Sequence, residues 1–137
     1  MDGVLLAGRI LFAASFLLSG FGHFAQYKVM VGYARQAGAP LPEVTVPATG
    51  ALIVIGSVLF ALGIWADLAA LLLAGFLVPT TVIMHRFWRL EVAQMAAIQQ
   101  AYFIKNIALV GAALAMFAFF QQFGSAVGLT LTDPLFK

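Results

Sequence analysis

The sequence contains no cysteine and very few charged residues. Without cysteine, the chain has no disulfide, no thiolate metal site and no thiol chemistry. Charged residues make up only 9% of the chain, whereas a soluble domain carries about 25%. The basic residues are scattered and form no run, so the sequence predicts no nucleic-acid partner. These absences exclude cysteine-based redox centres and argue against a soluble domain.

Apolar side chains are what the sequence has in abundance. They account for 64% of the 137 residues, and the mean hydropathy is +1.05. A chain of this length has too much surface to leave it so poorly charged in water. We therefore expect most of that surface to contact lipid, and we expect one domain over residues 1–137.

Four apolar segments are long enough to cross a bilayer. About 20 helical residues cover a hydrocarbon core of about 30 Å. The first segment starts with an acid, Asp2, and holds Arg9 within its apolar run, so we interpret it as a retained span and not as a signal peptide. The short connections predict an all-α integral membrane four-helix bundle with up-down-up-down topology. The predicted spans are residues 4–24, 46–65, 67–88 and 101–121.

The segments between the spans carry weaker signals. Residues 25–45 are too polar to span, and their apolar residues at helical spacing predict a short amphipathic helix at the interface. Pro47 suits the first helical position of the second span. Residues 86–100 are mixed in character, and we expect them to continue the third helix along the interface. The tail after Gln122 has no clear pattern.

Helical periodicity predicts which residues of the first and third spans share one face, provided that each helix is straight. The predicted face of the first span consists of Arg9, Ala13, Phe16, Gly20 and His23. The predicted face of the third span consists of Asp67, Leu71, Ala74, Val78, Thr81 and His85.

The alternating topology also sorts the polar residues by membrane side. One side holds His23, Lys28, Glu43, His85, Arg86, Arg89, Lys105 and Asn106. The other side holds Arg9, Asp67, Gln121 and Gln122. Because basic residues are in excess on the first side, the positive-inside rule predicts that it is cytoplasmic and that both termini are periplasmic.

A structural ion pair is the first hypothesis about the polar residues. An intramembrane arginine without a partner is costly, so we expect Arg9 to pair with Asp67 across one leaflet. The alternative is that the Arg9 guanidinium reaches the headgroups on its own.

A polar pocket inside the opposite end of the bundle is the second hypothesis. A quinone needs an apolar slot with hydrogen-bond donors at its carbonyls, and a bound lipid has similar needs. The alternative is that both histidines are ordinary interface residues. Two imidazoles with one nearby carboxylate, Glu43, predict no metal site, and we expect no intrinsic cofactor. The candidate residues for a quinone or lipid are His23, His85, Trp88, Tyr102, Lys105 and Asn106.

Five segments of the chain share their order and spacing with a known family. They are GRILFAASFLLSGFGHF, AGAPLP, TGALIVIGSVLFALGIWADLAALLLA, MHRFW and FIKNIALVGAALAM. Together they resemble the DoxX family of small four-helix membrane proteins, over roughly residues 5 to 122. Two positions depart from it: His23 stands where such sequences commonly carry lysine, and Ile53 stands where many carry glutamate.

The resemblance implies a bundle in the bacterial inner membrane and a link to redox chemistry. The family is named after a membrane subunit of a thiosulfate:quinone oxidoreductase, other members are linked to oxidative-stress assemblies, and a related eukaryotic group acts in cargo export. Three functions follow as hypotheses. The first is an accessory or anchoring subunit of a redox-linked complex with a quinone or lipid slot. The others are a purely structural subunit of a larger membrane complex and a small oligomeric transporter. In the first two cases the partners are the bilayer and other membrane subunits, or further copies of the chain.

Overall fold

The structure, a computed structural model, describes residues 1–136 and is built from helices. Four of them are long and apolar enough to cross a membrane, which confirms the predicted all-α membrane architecture. A shorter helix lies between the first two of these. The helices are α1 (Asp2–Ala25), α2 (Tyr27–Ala37), α3 (Pro42–Leu62), α4 (Ala66–Met84) and α5 (Ala93–Phe123), with 3-10 turns at Phe87–Arg89 and Gly124–Ala126.

Glycines in the left-handed conformation end two of these helices. Gly38, with φ of 81°, ends α2, and Gly63, with φ of 66°, ends α3. In α3 the amides of Gly63 and Ile64 return to the carbonyls of Phe60 and Leu59, which satisfies carbonyls that the helix end would leave unpaired. The connection to α4 is therefore short, and the two helices are neighbours in space.

The second span begins earlier than predicted. Pro42, and not Pro47, occupies the first turn of α3, so Pro47 lies inside the helix. Pro47 has no amide hydrogen to donate to the carbonyl of Glu43. The hydroxyl of Tyr27 donates to that carbonyl instead, at 3.0 Å. A side chain of the interfacial helix α2 thus replaces the backbone bond that the proline removes.

The third helix also ends earlier than predicted, and the fourth begins earlier. Helix α4 stops at Met84, so residues 86–100 do not continue it; they form a turn and then the first part of α5. Helix α5 starts at Ala93, not near residue 101. The early start adds about two turns to α5 and brings Gln99 opposite His85.

The spanning helices pack in chain order. Helix α1 packs on α3, α3 on α4, and α4 on α5, whereas within residues 1–136 the backbone of α1 approaches neither α4 nor α5 closely. The contacts between α1 and α3 pair Gly20 with Gly50, and Arg9 with Gly63, so these helices are antiparallel. Contacts of Asp67 with Gln121 and of His85 with Gln99 do the same for α4 and α5. This order is consistent with the predicted up-down-up-down topology.

An aromatic core joins α1, α3 and α5 near the end of the bundle at which α3 and α5 finish. Phe60 of α3 is fully buried, with its ring centroid 5.3 Å from that of Phe12 and 6.0 Å from that of Phe120. Large apolar side chains elsewhere face outward, for example Leu11 and Leu18, each 73% exposed, as expected for a surface solvated by lipid.

The residues predicted to share one face of α1 are all buried, whereas those predicted to share one face of α4 are buried only in part. The buried residues of α1 are Arg9, Ala13, Phe16, Gly20 and His23. In α4, Asp67, Ala74 and Thr81 of the predicted face are buried, but Val78 of that face is exposed, and Leu73 and Leu77 outside it are buried. Helix α4 has neighbours on two sides, α3 and α5, so a single stripe did not describe its buried surface.

Candidate functional site

A cavity of about 420 Å³ lies at the end of the bundle that carries both histidines. It fills the gap that arises because α1 does not approach α4 and α5, and α2 covers one end of it. Its apolar walls come from Phe16 of α1, from Phe76 and Leu77 of α4, and from Leu109 of α5. Its polar lining residues are Ser15, Ser19, His23, Tyr33, Thr80, His85, Tyr102, Lys105 and Asn106.

The structure brings five of the six candidate residues to this one cavity. They are His23, His85, Tyr102, Lys105 and Asn106. Trp88 does not line it. The Trp88 ring is 55% exposed and packs edge-on against Phe87 and Phe103 on the outer surface, because α4 has already ended at Met84 and the following turn carries Trp88 outward.

His23 is held by the backbone of α3. Its Nδ1 lies 2.9 Å from the carbonyl oxygen of Val46 and 3.2 Å from the Thr49 hydroxyl. A carbonyl only accepts, so Nδ1 donates, and Nε2 is the ring nitrogen left for another partner. The close packing requires Gly50, where an added Cβ would meet the Cβ of His23 at 2.7 Å.

His85 is held in the same way by a side chain. Its Nδ1 lies 2.7 Å from Oε1 of Gln99, and Nε2 of Gln99 donates to the Tyr33 hydroxyl at 3.0 Å. The Tyr33 hydroxyl in turn donates to the carbonyl of Met84 at 3.3 Å. This chain orients the imidazole and again leaves Nε2 of His85 for another partner.

Sequence reasoning missed Gln99 and Tyr33. Gln99, Tyr102 and Asn106 have the spacing of one helix face, but this signal is visible only if the fourth helix starts before residue 101. Tyr33 belongs to the interfacial helix, where nothing in the sequence indicates which end of the bundle it covers.

The cavity has donors and imidazoles but no carboxylate. Its lining contains neither aspartate nor glutamate. The Nζ of Lys105 lies 5.2 Å from the centre of the Tyr102 ring, a cation–π contact that leaves its hydrogens available. Asn106, only 6% exposed, is buried beside them. Across residues 1–136, no cluster of three or more histidine, cysteine or acidic side chains is placed to hold a metal.

The opposite end of the bundle corrects the ion-pair hypothesis. Among the described residues, Arg9 and Asp67 do not form an ion pair. Arg9, 1% exposed, donates to the carbonyl of Leu129. Asp67, fully buried, accepts hydrogen bonds from Nε2 of Gln121 at 2.7 Å and from the amides of Leu135 and Phe136 at 2.9 Å each.

The C-terminal tail, residues 127–136, supplies most of these partners. It folds back over the ends of α3 and α4, where the amides of Leu131 and Thr132 both donate to the carbonyl of Gly63 at 3.2 Å. The Thr132 hydroxyl accepts from the amide of Trp65 at 2.8 Å. The sequence could not predict this arrangement, because most of the partners are backbone groups, which nearly every residue type provides.

Comparison with known proteins gives one match. The sequence model of one family, described as DoxX, matches residues 4–86, more than half of the chain. The chain belongs to the DoxX family. No curated protein and no solved structure matches it.

The DoxX match covers α1 to α4 but not α5. His23 and His85 therefore lie in the matched part, whereas Tyr102, Lys105 and Asn106 lie beyond it. The position where the resemblance leads one to expect an acid, Ile53, is fully buried and packs on Gly20. In this DoxX protein an apolar side chain occupies that place in the core.

Proposed function

We propose that this DoxX-family protein is an accessory membrane subunit that binds a quinone, or a lipid with a similar polar head, for a partner oxidoreductase. The observation that carries the proposal is the cavity between α1, α4 and α5, where two anchored imidazoles meet a lysine, a tyrosine and an asparagine. Its volume of about 420 Å³ lies in the range of about 300–1,000 Å³ that is usual for small-molecule pockets.

The polar residues of the cavity suit both redox states of a quinone. Lys105, Tyr102 and Asn106 carry hydrogens that can be donated to the carbonyl oxygens of the oxidised ring. Because Nδ1 of His23 and of His85 donates to a fixed acceptor, each neutral imidazole offers Nε2 as an acceptor for a quinol hydroxyl. A protonated imidazole would offer a donor at the same atom.

An accessory role follows from what the chain itself can supply. It has no cysteine, and the polar residues that line the cavity are bases and neutral hydrogen-bond donors. Such a site can hold a quinone and exchange protons with it, while the electrons must come from a redox centre on a partner protein. We accordingly propose that the protein acts within a larger complex.

A mutational comparison tests the slot. The Asn106→Leu and Lys105→Leu variants should bind a soluble short-chain benzoquinone about three- to tenfold more weakly, because each loses one hydrogen bond of about 0.5–1.5 kcal/mol. Gln122→Leu, an exposed position at the other end, is the matched control. Calorimetry in detergent measures the affinity, and equal affinities in all variants would refute the slot. Quinone and proteins that co-purify in mild detergent identify the native ligand and partner.

A structural subunit without a ligand is the second candidate. It is favoured by α5, a helix of 31 residues of which only Asn106, Ala113 and Phe120 are buried. Such a helix presents most of its surface to lipid or to another subunit. This role predicts that a photo-reactive residue at exposed Ile107 cross-links to a larger protein or to a second copy, and that His85→Ala leaves the activity of that complex unchanged.

We also propose an orientation in the bacterial inner membrane, with both termini periplasmic. The support is the basic excess at the histidine end, where Lys28, Arg86 and Arg89 lie. The absence of cysteine makes the test simple. In intact cells a membrane-impermeant maleimide should label Ser125→Cys, whereas Lys28→Cys should react only after permeabilisation. The reverse pattern would overturn the orientation.

A further inference from the structure

A second groove lies at the histidine end, outside the cavity described above. It has a volume of about 400 Å³ and runs between α2, the end of α4, the following turn and the start of α5. Tyr33 and Met84 separate it from the cavity, because both residues line both spaces. Its lining residues are Tyr33, Gln36, Ala37, Ile83, Met84, Arg86, Arg89, Leu90, Met95 and Gln99.

Two arginines without acidic partners give this groove its charge. The lining contains Arg86 and Arg89 and no carboxylate, and among residues 1–136 the only ion pair joins Arg35 to Glu43. Nε of Arg86 donates to the carbonyl of Val82 at 3.0 Å. That bond fixes the plane of the guanidinium and leaves its two terminal nitrogens for a ligand.

The remainder of the groove is apolar or carries neutral amides. Ile83, Leu90 and Met95 form apolar parts of its wall, and Gln36 adds an amide to the lining. The groove lies where α4 ends, beside exposed Trp88 and Tyr33, which are side chains typical of the membrane–water interface. Positive charge and apolar wall therefore meet at headgroup depth.

We infer that this groove binds the phosphate of an anionic phospholipid. Arginine suits phosphate because its planar fork donates two parallel hydrogen bonds to it. Basic pockets between helices at the cytoplasmic interface have the chemistry that recognises such headgroups. The glycerol backbone and the first carbons of the chains pack on Ile83, Leu90 and Met95. The inference goes beyond the proposed quinone slot, since it concerns another cavity, other residues and another ligand.

Native mass spectrometry of the full chain in detergent tests the inference. With equal acyl chains, phosphatidylglycerol should bind more tightly than phosphatidylcholine, and Arg86→Gln with Arg89→Gln should abolish that preference. Since each arginine near the surface contributes about fivefold, the double variant should bind the anionic lipid at least tenfold more weakly. Lys28→Gln removes a nearby exposed charge outside the groove and should keep the preference.

Each other outcome overturns the inference. Equal binding of both lipids by the unaltered protein refutes it without any variant, so the test does not depend on the double variant folding. A preference that survives in the double variant places the site elsewhere. Displacement of the lipid by soluble glycerol phosphate at equal concentration shows a site for free phosphate and not for a lipid.

The two proposals can fail separately. The arginine double variant should keep its affinity for the short-chain quinone, and Asn106→Leu should keep its preference for the anionic lipid, because the two residue sets lie in different cavities. If either variant lost both ligands, one shared site would replace the two proposed here.

Discussion

The two ends of the bundle accommodate buried polar side chains in different ways. At the tail end, the buried polar groups Arg9 and Asp67 are covered by residues 127–136, and Asp67 accepts three hydrogen bonds. At the histidine end, the anchored imidazoles and Asn106 face a cavity of about 420 Å³. At the first end the tail supplies partners for Asp67 and one partner for Arg9, whose Nε and Nη1 have none. At the second end the polar side chains line a cavity instead. The contrast separates buried polar residues that the tail covers from polar residues that line a cavity.

Removing the tail should have the largest effect on stability. Deleting residues 127–137 takes away partners of Arg9, Gly63, Trp65 and Asp67. Each buried group left unpaired costs about 1–3 kcal/mol, so the loss should amount to several kcal/mol. Thermal unfolding in detergent, followed by circular dichroism, should show a clearly lower Tm. An unchanged Tm would mean that the tail end is not closed by these contacts.

Gly63→Ala should give the next largest effect. Gly63 has φ of 66°, and an added Cβ would collide with Arg9 and with the backbone of Thr130 at 2.9 Å. The strained backbone alone costs about 1–3 kcal/mol. Gly111→Ala is the matched control, because nothing lies within 4 Å of its Cβ and alanine favours a helix. Equal changes of Tm in Gly63→Ala and Gly111→Ala would contradict the close packing of the tail on Gly63.

Gln99→Leu should affect binding at the histidine end more than stability. It removes the acceptor of His85 Nδ1 and the donor to Tyr33, both partly exposed, so the imidazole can rotate. We expect quinone affinity to fall about three- to tenfold, the worth of one hydrogen bond, with little change in Tm. Gln100→Leu, next in sequence and exposed, is the control. Equal affinities for both variants would show that His85 needs no anchor.

Tyr27→Phe should have the smallest effect, about 0.5–1.5 kcal/mol, because it removes one hydrogen bond at an exposed site. The Tyr27→Phe substitution is most informative when it is combined with Pro47→Ala. Alanine restores an amide that can donate to the carbonyl of Glu43, so the loss of the Tyr27 hydroxyl should cost less in that background. A double-mutant cycle by thermal unfolding measures the coupling, and full additivity would contradict the compensating role of Tyr27.

The sequence predicted features that depend on local pattern. Apolar length predicted four spanning helices, and the 3.6-residue repeat predicted the buried face of α1 from Arg9 to His23. Prediction from the sequence failed where a residue or helix has several possible packing or hydrogen-bonding partners. The buried face of α4 lies between two helices, and α3 continues through Pro47, whose missing backbone bond the Tyr27 hydroxyl replaces. Asp67 accepts from backbone amides of the tail and does not pair with Arg9.

The candidate site shows the same division. Topology alone placed His23, His85, Lys105 and Asn106 at one end, because alternating helices return polar termini to the same membrane side. Whether they meet around a cavity depends on the gap between α1 and α5, and such a gap follows from the packing order and not from residue type. Trp88, three residues after His85, lies on the outer surface because α4 ends at Met84 and the following turn carries it outward.

By itself, the sequence determined that the protein lies in a membrane, that it crosses with four helices, and which residues lie at each end. Hydrophobicity and helical periodicity are properties of residues that are close in the sequence, so the sequence alone reveals them. Tertiary structure decided that the tail covers Asp67 and Arg9 at one end, and that the candidate polar residues line a cavity beside an arginine groove at the other. Those outcomes depend on backbone hydrogen bonds and interhelical gaps between residues distant in sequence, which no local pattern records.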